Sequence, residues 1–387
     1  MTELEVTAAD VTARGVLLDV TRTISRAGLG IQTGIDRVEA AWISAALDGR
    51  WGDAWFTARI ASGTYTIDAS AMGDLTHALM AGGDLPPLDL RGAVSLRKRL
   101  AARRAESGLR RAAQMAPDGL IYLNVGHSNL TPESITAHPA GAVVLLHDVI
   151  PLDHPEFARA SGPARARMRL EAAQAARAIV YNTADTKMRC ERHMTAPPPG
   201  VVAPLGIDVL PVTVSEHDGF VVLGTIEPRK NHDLLLDVWA QLGPAAPPLH
   251  IVGRRGWMNE DVFARLDAHP AGVIEHGALD DMAAMELLKG ARALLFPSFA
   301  EGYGLPLAEA LALGVPVVAS DLPALREVGG NVPVWCDPHD RAAWREAIMR
   351  LMHDDYRAAR IAAASPWQPP TWKRHFAIVD DLIRGFA

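Results

Sequence analysis

The chain has 387 residues, 49% of them hydrophobic and 21% charged, a globular composition with enough length for two ordinary domains. A formal net charge of −7 gives no support for nucleic acid as a partner. The two cysteines, Cys190 and Cys336, are too far apart for a metal motif, exclude a disulfide framework and suit a reducing cytoplasm.

Met1 to Asp10 is polar and acidic and lacks the apolar core of a signal peptide. No window approaches eighteen uninterrupted apolar residues, so the expectation is a cytoplasmic protein that at most lies on the inner face of a membrane. The first strand is predicted over Val16–Val20, and Gly28-Leu29-Gly30-Ile31-Gln32-Thr33-Gly34-Ile35-Asp36-Arg37 follows as a glycine-rich turn leading into a helix. Alone, such a turn is a weak phosphate signal, strengthened by its place between strand and helix. From Arg91 to Met115 basic residues face a single acid, Glu106, while Val94, Ala101, Ala105, Leu109 and Ala112 share the other side of the helix. This is either a solvated helix face or a patch for anionic lipid or a lipid-diphosphate acceptor.

Further apolar runs at Leu120–Val125, Ala142–Val149 and Ala178–Asn182 complete the first half. Pro197-Pro198-Pro199-Gly200 then stops a helix, and a polar stretch leads to Asp218. The second half has runs at Phe220–Gly224, Leu249–Gly253, Gly272–His276, Ala293–Pro297 and Val315–Ser320. Continuous apolar strands separated by helices predict parallel sheets covered on both faces. Ser365–Pro370 punctuates the last helices, and Thr371–Phe386 reads as a closing amphipathic helix. The expected division is 1–205, 206–365 and a returning helix over 366–387.

Phe296 to Asp321, FPSFAEGYGLPLAEALALGVPVVASD, is the richest stretch. A strand ends at Pro297, Glu301-Gly302-Tyr303-Gly304 forms a loop, and a helix opens at Leu305-Pro306, where proline's missing N–H costs nothing. Such a turn presents backbone N–H groups and the positive end of a helix dipole to an anion. Glu301 and Glu309 frame it, each otherwise readable as a capping or solvated glutamate.

Glu301 and Glu309, with Gly-Tyr-Gly between them, resemble the E-x7-E signature of retaining glycosyltransferase family 4. VVLGTIEPRKNHDLLLDVW (Val221–Trp239), LHIVGRRGW (Leu249–Trp257), EHGALDD (Glu275–Asp281), LLHDVIPLDHPE (Leu145–Glu156) and PLGID (Pro204–Asp208) are similar to that family in the same order. The resemblance implies the GT-B fold: two facing Rossmann-like domains with parallel sheets, nucleotide held by the second, and a last helix crossing back to the first. It implies that Glu309 binds ribose and that Glu301, with the backbone of Gly302, Tyr303 and Gly304, holds the donor sugar. Lys230 would hold the diphosphate, with Arg229 substituting for an arginine that many members carry at the position of Thr225, or else being a surface arginine paired with Glu227. Leu305, Gly253, Arg254 and His276 are assigned to the donor side. His147 would face the cleft and touch the sugar, while His127, at the end of the strand Leu120–Val125, reads either as a cleft residue or as a satisfied structural histidine. Gly30, Thr33, Gly34 and Arg37 would form the loop over phosphate and acceptor, Arg37 being structural on the plainer reading.

His147, Asp148, Asp153 and His154 have metal-ligand chemistry but not the spacing of a zinc motif, and no metal or other cofactor is expected. The expected activity is retaining transfer of a hexose from a nucleotide diphosphate sugar, GDP-mannose in first place, to a hydroxyl on a glycan or lipid-linked glycan. The setting implied is cell-surface polysaccharide or lipopolysaccharide synthesis. The alternatives are another GT-B enzyme, such as a nucleotide-sugar 2-epimerase, and a silent GT-B binding module.

Overall fold

The computed structural model describes residues 15–27, 33–81, 103–209, 211–213 and 217–386. Gly30 and the first part of the basic segment, residues 91–102, lie outside the described residues. The first sheet comprises β1 (Gly15–Asp19), β2 (Asp53–Ile60), β3 (Gly63–Asp68), β4 (Ile121–Asn124), β5 (Ala142–Leu146), β6 (Ala178–Tyr181) and β7 (Gly200–Val202). The second comprises β8 (Phe220–Leu223), β9 (Leu249–Val252), β10 (Val273–Gly277), β11 (Ala293–Phe296), β12 (Val317–Ser320) and β13 (Val334–Cys336). The spatial orders are β3-β2-β1-β4-β5-β6-β7 and β10-β9-β8-β11-β12-β13. Each sheet therefore grows outward in both directions from its first strand. Where the direction reverses, between β1 and β4 and between β8 and β11, the connections leave to opposite faces and open a crevice at the carboxyl ends of the strands.

Strands β4, β5, β6, β8, β11 and β12 are buried along their whole length, as expected of parallel strands covered on both faces. The first sheet departs from that expectation at its edge. There β2 and β3 pair antiparallel, from Trp55 opposite Asp68 to Ile60 opposite Gly63, turning through Ala61 and Ser62. One side of this hairpin is solvated, so arginine and threonine interrupt its apolar residues and no continuous run marks it in the sequence. Strands β7 and β13, three residues each, are too short to register as runs.

The closing helix Trp372–Arg384 returns to the first sheet's layer. The carbonyl oxygens of Ala203 and Pro204 lie 3.1 Å from His375 Nδ1, so that nitrogen carries the proton. Nε2 is left to accept from Trp42 Nε1 at 3.2 Å. Asp380 accepts from Arg50 at 2.7 Å and from Trp51 at 2.9 Å, and the rings of Trp42, Trp51 and Phe376 meet at 5.4–5.7 Å. Gly206 makes this crossing possible, because a Cβ there would stand 2.3 Å from the backbone nitrogen of Trp372.

Candidate active site

The two switch points face each other. From the second sheet, the connection after β8 runs through Thr225 to a tight turn over Pro228–Lys230 and ends at Asn231 in the left-handed region, φ 54°. The Asn231 amide holds that turn by donating to the carbonyls of Pro297 and Pro338 at 3.1 and 2.9 Å. This places Lys230 Nζ 2.6 Å from Glu301 Oε1 and 4.6 Å above the Phe296 ring. Arg229 lies 2.9 Å from Glu301 Oε2 and 2.7 Å from Glu227, and donates to the Ala300 carbonyl at 2.7 Å. Burial pushes the Glu301 carboxyl up, but Arg229 and Lys230 outweigh it and hold the group down at about 2. Burial lowers Lys230, and Glu301 opposes that shift. Most of the Arg229 fork is spent on protein acceptors, so Arg229 braces Glu301, while the Lys230 ammonium keeps donors in hand for a ligand.

After β11 the loop meets the other domain backbone to backbone. A Cβ on Gly302 would lie 2.2 Å from the carbonyl oxygen of His147, so only glycine lets the loop approach the end of β5. The Gly302 carbonyl accepts from the hydroxyls of Thr183 and Thr186, both at 3.1 Å, and the Tyr303 hydroxyl donates to the Leu205 carbonyl at 2.7 Å. Gly304 then caps the helix Leu305–Ala312. Among the described residues the N–H groups of Gly302, Tyr303 and Gly304 have no protein acceptor. They remain free for an anion beside the start of the helix.

On the first domain, helix Gly34–Leu47 brings a second N-terminus to the same place. Thr33 N–H donates to Asp36 at 2.6 Å, and Asp36 also takes Arg22 and Arg26 at 2.6 and 2.8 Å. Gly34 lies against the Leu305 side chain. One turn on, Arg37 forms an ion pair with Glu309 across the cleft. Glu309 is 5% exposed; burial raises its carboxyl and Arg37 pulls it back. The structural role expected for Arg37 thus becomes a contact with the proposed ribose residue itself.

His147 and His127 close the first domain's side. His147 Nε2 lies 2.8 Å from the Val125 carbonyl and His127 Nε2 lies 2.8 Å from that of Leu145, so each donates to the strand of the other. Their rings meet edge to face at 4.8 Å. Burial lowers both, His147 to about 4, so both are neutral near pH 7 and neither is poised as a general base. Asp148, whose Cβ would be 3.0 Å from one on Gly302, accepts from the Ile150 N–H at 3.1 Å. Asp153 takes His193 and Arg189 at 2.7 and 3.2 Å, and His154 pairs with Glu156 at 3.2 Å. The four candidate metal ligands are thus committed to separate partners.

One donor-side candidate is held by a neighbouring strand. His276 shares a 2.9 Å hydrogen bond with His250, whose ring lies 4.7 Å from that of His217. His250 also abuts Gly219, the residue before β8. The ring of His276 is thus engaged with the neighbouring strand β9. Thr225 and Gly253 do stand at the carboxyl ends, Gly253 packed against the Gly224 carbonyl, and Arg254 follows them exposed. Sequence reasoning missed Thr183, Thr186 and Glu327. The Glu327 carboxylate accepts from the N–H groups of Ala184 and Asp185, both at 2.7 Å, capping a first-domain helix from the second domain. Only the Thr183 N-cap position was visible as a local signal.

With this geometry in place, comparison with known proteins is decisive at the level of domain and fold. Residues 217–354 match the family described as glycosyl transferases group 1. The chain carries a glycosyl transferase group 1 domain on a GT-B fold. Over 139 residues it is 37% identical to the O-antigen chain mannosyltransferase B of Escherichia coli, a match covering 34% of this chain and 36% of that protein. The chain spans about a third, or less, of the length of the first curated relatives it matches. The crystal structure of Anabaena HepE in complex with UDP and glucose superimposes over 95% of this chain and 98% of its own, with a TM-score of 0.64 and 17% identity. WaaG, a glycosyltransferase involved in lipopolysaccharide biosynthesis, superimposes over 96% and 100%, with a TM-score of 0.60 and 14% identity. At these identities the superpositions establish the shared two-domain fold.

Proposed function

We propose that the chain is a retaining hexosyltransferase that uses a nucleotide diphosphate sugar, with mannose the sugar and a hydroxyl of a growing cell-surface glycan the acceptor. The observation that carries this is the convergence of Lys230, Glu301 and Glu309 around the open N–H groups of residues 302–304. Ribose would bind Glu309, the diphosphate would meet Lys230 and those N–H groups, and the sugar would lie between Glu301 and the end of β5. The mannose assignment rests on the mannosyltransferase relative. No side chain here is an evident nucleophile for the anomeric carbon. The acceptor oxygen therefore forms its bond to that carbon on the face from which the phosphate leaves. The departing phosphate oxygen takes the hydroxyl proton. Negative charge grows on the diphosphate as the bond breaks, and Lys230 and the helix N-terminus are placed to stabilise it.

Among the described residues no helix is long and apolar enough to cross a membrane. Within the described part of the basic helix Ala105 and Leu109 are buried, whereas Arg103, Arg104, Arg110 and Arg111 are exposed, as is Met115 beyond its end. This one-sided surface supports peripheral contact with anionic lipid. The deciding experiment incubates the protein with GDP-mannose, UDP-glucose and UDP-N-acetylglucosamine, each with and without a lipid-linked glycan acceptor, and follows the products by NMR. Acceptor-dependent release of GDP with retained configuration is expected. An inverted product, or no transfer from any donor, would overturn the reading. Conversion of a donor to its 2-epimer without acceptor would replace it with the epimerase.

A further inference from the structure

Arg37 and Glu309 come from different domains, and their ion pair ties the first turn of helix Gly34–Leu47 to the first turn of helix Leu305–Ala312. Arg37 occupies one carboxylate oxygen of Glu309; the other has no protein partner among the described residues. A buried carboxylate would tend to take up a proton, and the guanidinium opposes that. A glutamate with one oxygen fixed by a guanidinium and one free is an acceptor aimed in a single direction. Gly34 against Leu305 sets the spacing of the two helices, so this arrangement depends on how the two domains meet. The Arg37 Nε is itself buried without an acceptor among the described residues.

We infer that Arg37 is a positioning residue for nucleotide recognition: it orients Glu309 from the opposite domain so that the free oxygen accepts from a ribose hydroxyl. This rests on the reading of Glu309 as the ribose residue. It adds that ribose recognition is completed by domain closure. A nucleoside diphosphate bound to the second domain alone would lack full discrimination for its ribose hydroxyls. Cleft closure supplies the missing orientation, and ribose in turn favours the closed form, since coupling of two binding events is reciprocal.

The test compares GDP and UDP with their 2′,3′-dideoxy forms by calorimetry on the full chain. The wild type is expected to prefer the ribo form of the nucleotide it binds by about tenfold or more, the scale of one charge-assisted hydrogen bond. Glu309→Gln should lose most of that preference. Arg37→Met should lose it too, leaving affinity for the dideoxy form unchanged, and Arg37→Lys should restore part of it. Glu309→Gln with Arg37→Met should discriminate no worse than Glu309→Gln alone. If the wild type binds neither nucleotide, or binds ribo and dideoxy forms equally, the ribose reading falls and the inference with it. If Glu309→Gln loses discrimination but Arg37→Met keeps it, Glu309 stands as the ribose residue and the inference is overturned. Equal weakening of both forms by Arg37→Met would make Arg37 a phosphate ligand, and tighter binding would make it a plug. Either result overturns the inference.

Discussion

Lys230 is nine-tenths buried, shares Glu301 with Arg229, and retains N–H donors facing the crevice. An interaction that strengthens as charge develops acts on the transition state more than on the bound substrate. Lys230→Met is therefore expected to lower kcat by about a hundredfold or more, the scale of losing one oxyanion donor, with a smaller change in KM. A loss confined to KM would remove Lys230 from the chemical step. Wild-type turnover is expected to persist in excess EDTA, since magnesium is held by carboxylates together with substrate phosphates and the Glu301 carboxylate is already taken by two cations. Activity lost in chelator and restored by added metal would contradict this mechanism.

Glu39 tests the site's surroundings through stability rather than rate. It is fully buried beside Gly126; one oxygen accepts from Thr23 at 2.7 Å and the other has no partner among the described residues. Burial raises its carboxyl to about 8, against an ordinary value of 4.5. The folded chain then holds a proton that the unfolded chain releases. The stability this group contributes is complete below about pH 4.5 and is lost as pH rises through about 8, at up to about 1.4 kcal/mol per pH unit. Glu39→Gln, which mimics the protonated acid, should melt higher than the wild type at pH 8.5 and no higher at pH 5. Equal melting differences at both pH values would mean that Glu39 is ionised in the fold.

At the scale of elements, the loop after β11 depends on its closest approach. Gly302→Ala would drive a Cβ into the His147 carbonyl and must push the loop away from β5. Turnover is expected to fall at least about tenfold while the nucleoside diphosphate still binds, because a displacement near 1 Å already disturbs reaction geometry. Unchanged turnover would mean that the two domains meet differently during catalysis. The strand–loop–helix reading of this segment was legible because each part leaves a local mark: an apolar run, glycines, and proline at the helix start. The antiparallel hairpin β2–β3 leaves none, since its alternation is broken by Arg59 and by solvated threonines. Spacing places His276 on a strand, but its bond to His250 on the neighbouring strand leaves no mark in the sequence.

At the scale of the whole molecule, the closing helix is fastened through His375, whose buried ring is lowered to about 4. Its neutral form bridges Trp42 and the Ala203–Pro204 carbonyls, so its contribution is complete above its ordinary pKa of 6.5 and is lost as pH falls through about 4. His375→Ala leaves these groups without partners, at about 1–3 kcal/mol each, and should lower the melting temperature at pH 7 more than at pH 4.5. The exposed arginines of the basic helix act on a larger scale. Replacing Arg103, Arg104, Arg110 and Arg111 by glutamine should abolish co-sedimentation with anionic vesicles in low salt, where screening is weakest. A wild type that never sediments with them would show a solvated helix face only.

The sequence by itself determined what is local and repetitive. Buried parallel strands must be continuously apolar, phosphate-facing turns need glycine, and helix starts accept proline, so two Rossmann-like halves and the Glu301–Glu309 segment could be read directly. It also carried the closing helix, whose amphipathic face is periodic. Only the tertiary structure decided which charges meet across the cleft. Arg37 and Glu309 are 272 positions apart, and no periodicity couples residues on two separately folded sheets. Their pairing is set by how the second sheet docks against the first, through Gly302 on β5, Glu327 on a first-domain helix and Tyr303 on the junction. In each contact one side is a backbone group that every residue possesses, so the partner position leaves no signature in residue type.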